Sequence, residues 1–163
     1  MITPKDYVLK LLAARAYTEK GLERKMLEKG YNKRDITEVI AWCRDQRFVD
    51  DREFARSFIR TRDAIKPRGR RVLRLELISK GVPVEIVDEI LEESSADRNE
   101  AELAAEVLKR RLPAWRSLSQ DNQWRRAYSL LARRGFNHNI ICEVINEQIP
   151  KKIEDSGDFG AID

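Results

Sequence analysis

The chain has 163 residues, 42% of them hydrophobic and 37% charged, with a net charge of +4 and a pI near 9.1. No run approaches the roughly 18 apolar residues of a membrane span, and Met1-Ile2-Thr3-Pro4-Lys5-Asp6 lacks the regions of a secretory signal. One histidine, His138, leaves no His-based metal cluster, and two cysteines, Cys43 and Cys142, read as buried thiols of a reducing cytoplasm.

In chain order, the first unit spans residues 1–49, with helices expected near 4–16, 19–29 and 33–46. Its second helix stops at Lys29-Gly30-Tyr31: glycine accepts a left-handed turn, the cation faces the carbonyl end of the helix, and Tyr31 can fold back on Met26. The second unit, 50–96, has helices near 51–64, 68–80 and 84–94 and repeats the stop as Lys80-Gly81-Val82 with Leu77. The third, 97–149, has helices near 98–112, 120–134 and 138–148 and writes Arg134-Gly135-Phe136 with Leu131. After each glycine, an apolar stripe follows at helical spacing: Ile36, Val39, Ile40; Val87, Ile90, Leu91; Ile141, Val144, Ile145. Before it come Val8, Leu11, Leu12, Arg15; Ala55, Phe58, Ile59, Arg62; and Ala104, Val107, Leu108, Arg111. Threefold self-similarity at a period near fifty residues predicts an all-α fold: three tandem three-helix repeats in an elongated, curved array. The polar segment 150–163 is expected to be disordered.

Capping boxes are expected at Asp50/Glu53 and Asp97/Glu100, and a plain N-cap at Asn137. Asp50-Asp51 therefore reads as a helix entrance rather than a metal-binding carboxylate pair. Thr18-Glu19-Lys20-Gly21-Leu22 lacks the box carboxylate, which weakens the first unit. The linker between the first two helices of a unit lengthens from one repeat to the next. It carries Pro67-Arg68-Gly69-Arg70-Arg71 in unit two and Leu112-Pro113-Ala114-Trp115 in unit three. Insertions on one side of a repeat array often form a binding face.

Charge is unevenly written. Seven bases (Arg60, Arg62, Lys66, Arg68, Arg70, Arg71, Arg74) face one acid, Asp63, and then nine acids from Glu85 to Glu106 face one base, Arg98. This pattern suits a basic strip for an anionic partner and an acidic surface turned elsewhere. Trp115, near Arg110, Arg111 and Arg116, could stack on a base or anchor a protein. Trp124 belongs to the core stripe, and Trp42 could fill a junction between units. The constellations that catalysis needs are missing, so the chain does not read as an enzyme and implies no cofactor. A helix-turn-helix reader over 130–145 is disfavoured because its second helix offers Glu143 and Glu147 to a polyanion.

Val39-Ile40-Ala41-Trp42-Cys43, Phe48-Val49-Asp50-Asp51-Arg52-Glu53-Phe54-Ala55, Glu76-Leu77 with Lys80-Gly81-Val82, and Leu131-Ala132-Arg133-Arg134-Gly135-Phe136 resemble the signatures of the RecX regulatory proteins. The resemblance covers roughly residues 5–148. It implies a bacterial cytoplasmic regulator that binds the RecA recombinase filament on single-stranded DNA and blocks its extension or promotes its disassembly, restraining recombination, DNA repair and the SOS response; the chain is expected to be a monomer. Some members also touch DNA. The residues expected to meet filament or DNA are Arg60, Arg62, Lys66, Arg68, Arg70, Arg71, Arg74 and Trp115. The rival reading is a general single-stranded nucleic-acid-binding protein that competes with recombinase for DNA.

Overall fold

The structure, a computed structural model, describes residues 2–151. Its described residues form nine α-helices and no strand. Unit one holds α1 (Pro4–Ala14), α2 (Glu19–Lys29) and α3 (Lys33–Asp45). Unit two holds α4 (Asp51–Ile65), α5 (Arg70–Ser79) and α6 (Val84–Ser95). Unit three holds α7 (Glu100–Arg111), α8 (Gln120–Arg133) and α9 (His138–Gln148), with a 3-10 turn at Leu112–Trp115. The segment expected to be disordered lies, from residue 152 on, outside the described residues.

The three glycine stops form as the chemistry requires. Gly30, Gly81 and Gly135 have φ of 94°, 96° and 90°. Behind them the amides of Tyr31, Val82 and Phe136 bond the carbonyls of Met26, Leu77 and Leu131 at 3.1, 3.1 and 3.2 Å, which is the Schellman pattern. At the helix starts, Thr3, Thr18, Asn32, Asp50, Asn99, Ser119 and Asn137 each accept a first-turn amide. The expected Asp97/Glu100 box does not form. Asn99 caps α7 instead, because the Glu100 carboxylate is drawn to Arg98 (2.5 Å) and to the Arg70 amide (2.9 Å).

Each unit buries its own core. Val8, Leu22, Met26, Ile36, Val39, Cys43 and Val49 make the first, and Ala55, Ile59, Leu73, Leu77, Val82, Val87, Ile90 and Leu91 the second. Ala104, Leu108, Ala127, Leu131, Phe136, Ile141, Val144 and Ile145 lie in the third. The main helix packings all fall inside units, so polar contacts carry much of what joins one unit to the next. Trp42 does not fill a junction: it packs on the first core, with Phe48 at 5.3 Å and Lys5 over its ring at 4.8 Å. Trp124 packs on the third core and stacks on Tyr128 at 5.4 Å. Cys43 is buried as expected, but Cys142 is only partly so; it lies on the flank of α9, 3.6 Å from His138 Nε2.

Both joints use one register. Thr18, which caps α2, donates its hydroxyl to the carbonyl of Lys80, just before Gly81, at 2.6 Å. Gly69, which caps α5, donates its amide to the carbonyl of Arg134, just before Gly135, at 2.8 Å. Each donor lies twelve residues before the capping glycine of its own unit. The same position in unit three is Gln123, inside α8, where it bonds the Trp115 and Leu118 carbonyls at 3.1 Å. In unit three that position therefore holds its own linker in place rather than a joint to a further unit.

Candidate partner-binding surface

Helices α4 and α5 place the seven bases of the strip, but the fold brings the acidic run to meet them. Arg70 reaches Glu92 at 3.2 Å, and Arg74 holds Asp88 through two bonds of 2.7 and 3.1 Å. Arg52 and Arg56, on the same helix α4, reach Glu89 and Glu93 of α6 at 2.5 and 2.9 Å. The acids of α6 thus do not form a face separate from these bases, because α6 packs against both α4 and α5. Hydrogen bonding to Arg74 holds the Asp88 carboxyl below its usual range, and Arg56 does the same for Glu93.

The other members of the strip differ in what they touch. Arg60 bonds Glu53 at 2.8 Å. Arg62 bonds Glu76 at 3.0 Å and lies over the Phe58 ring at 5.1 Å. Arg68 approaches the same Glu76 only to 3.8 Å. Arg71 donates to the Ala132 carbonyl at 3.0 Å, and exposed Lys66 has no ion pair among the described residues. Trp115 stands apart from these helices: it is half-buried in the 3-10 turn and packs on the third core.

Two equivalent clefts open at the joints. The first, about 580 Å³, is lined by Glu19, Glu23, Asp51 and Arg44, among others. The second, about 600 Å³, has Arg70, Arg71, Arg74 and Arg98 at its wall. The first joint's cleft thus carries both charges, while the second is rich in arginine.

Several structurally important polar residues escaped the sequence reading. The side chain of Arg98, the lone base of the acidic run, is 8% exposed and clamps Asp63 at 2.8 and 2.9 Å, Glu100, and the Arg68 carbonyl. Burial works against its charge, but Asp63 and Glu100 outweigh that and hold its proton more tightly. Its only sequence signal was its isolation. Asp51 is more than a helix entrance, since it accepts the Glu19 amide across the first joint at 3.0 Å. The stripe-closing arginines also diverge: Arg15 lies over Tyr17 at 4.5 Å, Arg62 pairs with Glu76, and Arg111 faces Arg134. Among the described residues, no cluster of three or more His, Cys, Asp or Glu could hold a metal, and no helix is long and apolar enough to cross a membrane.

Family models for the first, second and third three-helix domains of RecX match residues 5–43, 50–91 and 99–145, one on each unit and in order. The chain belongs to the RecX family. A regulatory protein RecX from Chlorobium limicola is 34% identical over 139 residues, covering 85% of each chain. One from Chlorobaculum tepidum is 36% identical over 141 residues, covering 86% of this chain and 84% of its own. The crystal structure of RecX from Lactobacillus salivarius superposes with a TM-score of 0.78 at 24% identity, over 88% of this chain and 93% of its own; this likeness concerns the fold.

Proposed function

We propose that this RecX-family chain is a negative regulator of the RecA recombinase. It binds the RecA filament on single-stranded DNA and blocks its extension or promotes its disassembly, and so restrains recombination, DNA repair and the SOS response. The observation that carries this reading is the ordered match of all three units to the three RecX domains. It acts as a cytoplasmic monomer, with no catalytic step of its own. Its contact surface is the strip from Arg60 to Arg74, together with Trp115. A row of three units can touch several protomers of a helical filament at once, and linked weak contacts gain through effective concentration. Binding one filament state better than another shifts the assembly equilibrium.

The test is RecA's DNA-dependent ATPase on preassembled filaments, with this protein added well below one molecule per recombinase protomer. Strong inhibition before the protein can occupy the strand is expected. Inhibition only as the protein saturates bare DNA would favour simple competition for the strand, and no effect would remove the assignment.

A further inference from the structure

Most arginines of unit two face a carboxylate, but at the boundary with unit three the cations outnumber the carboxylates near them. The α4–α5 connector supplies Lys66 and Arg68, the end of α7 supplies Arg111, and the end of α8 supplies Arg134. Arg68 is 19% exposed, and its Nε is buried without a hydrogen-bond partner. Its nearest carboxylate, Glu76 at 3.8 Å, is already bonded to Arg62. Half-buried Arg134 has a bond to the Pro67 carbonyl at 3.3 Å. Its guanidinium is pushed down by burial and by the neighbouring charges of Arg68 and Arg111. Exposed Arg111 and Lys66 have no ion pair among the described residues. The one acid lining the cleft between these segments, Glu106, is held by Arg110 at 2.5 Å.

Like charges gathered in a partly dry cleft repel one another, and the repulsion is relieved by an anion between them. The cleft holds about 100 Å³, enough for one small anion. Guanidinium groups from the ends of α7 and α8, with the Lys66 ammonium, suit the several oxygens of a phosphate, because each planar fork can bond two of them. Ile65, 71% exposed at the rim, adds apolar surface beside it for a sugar or base. We infer that the cleft lined by Lys66, Arg110, Arg111 and Arg134, with Arg68 beside Arg134, is a phosphate-binding site for the backbone of a single DNA strand. The site deepens the filament-regulator reading and rests on it for its setting. It also gives Arg111 and Arg134, which the repeat pattern presents as structural, a contact with ligand.

The test uses the full chain and the double variant K66Q/R111Q, whose two side chains are exposed and bear on neither joint. Affinity for single-stranded oligothymidylate is measured across a salt series, and thermal unfolding is followed in inorganic phosphate against chloride at constant ionic strength. The slope of log affinity against log salt is expected to fall by about 0.7 in the variant, the value for one phosphate on a single strand. Phosphate is expected to raise the melting temperature of the unaltered chain and not that of the variant. An unchanged slope overturns the inference, even if phosphate stabilises the fold, because the site would then hold a free anion rather than the strand. A variant that loses filament inhibition with its DNA slope intact also overturns it, in favour of a carboxylate-bearing protein partner. If the unaltered chain fails to inhibit RecA while the slope still falls, the filament reading fails and the phosphate site stands.

Discussion

At the shared register position, the donor that crosses the first joint is a side chain and the donor that crosses the second is backbone. At the first, the Thr18 hydroxyl meets the Lys80 carbonyl, and the Asp51 carboxylate takes the Glu19 amide. At the second, the corresponding residue is Gly69, whose own amide bonds Arg134 O while the chain there lies against Gly135. A Cβ on Gly69 would stand 2.2 Å from the Gly135 carbonyl group, so only glycine allows this approach. Around it Arg98, Arg70, Arg71 and Arg134 tie the units through Asp63, Glu100 and the carbonyls of Arg68, Ala132 and Pro67. The lesson is that one repeat register can yield a compliant joint or a stiff one, depending on whether the donor is a rotatable side chain or fixed backbone. Units two and three should move together, with unit one the freer arm.

The comparison is most strongly broken at Arg98. Arg98→Ala leaves Asp63 and the Arg68 carbonyl without their partner, and loss of one member of a buried pair costs about 3 kcal/mol. Urea unfolding should show that loss, with the tryptophans of unit three separating from the rest of the transition. Gly69→Ala drives a methyl group into the Gly135 backbone; overpacking of this kind costs about 2 kcal/mol. Here too the denaturation midpoint reads the effect, and an unperturbed midpoint would show that the second joint is looser than its geometry.

Smaller effects belong to the first joint. Thr18→Ala removes a helix cap and the inter-unit bond, for about 1 kcal/mol, whereas Thr18→Ser should keep most of it. The loss should appear in unit one, reported by Trp42 fluorescence, and leave units two and three unchanged. The smallest effect is a pH dependence. Burial pushes the Asp51 carboxyl above its ordinary 3.8, helped by Glu19 and Asp50 and opposed by the Glu19 amide and Arg44. The folded state then binds this proton more readily than the unfolded chain, so the Asp51 contribution to stability improves as pH falls through the raised value. Glu19 runs the other way. Hydrogen bonding to Arg44 lowers it, and its contribution is present above 4.5 and lost as pH falls through the depressed value. Asp51→Asn should therefore lose stability more steeply than the unaltered chain just above pH 3.8, in melts taken across that range.

What was legible in the sequence is what local chemistry decides. The three glycine stops, the stripes that follow them and the Asp50 cap are written within a few residues of where they act. The joints are written across 30 to 67 residues. Thr18 looked like half of a failed capping box because its second partner, the Lys80 carbonyl, belongs to the next unit. Gly69 looked like part of a basic linker for an anionic partner, while its close neighbour Gly135 lies 66 residues on. The basic strip was legible as composition, but not as charge. Whether Arg74 is free depends on Asp88, and the packing of α6 against α5 decides that. Arg98 was passed over for the same reason, since an arginine alone among acids shows its value only once Asp63 is folded against it.

Amide hydrogen exchange at two positions tests the contrast between the joints most directly, because a backbone amide crosses each joint. The Gly69 amide should exchange only with global unfolding of units two and three. The Glu19 amide should exchange far faster, through local opening of the first joint. Equal protection at the two amides, or stronger protection at Glu19, would contradict the division into a stiff pair of units and a freer arm.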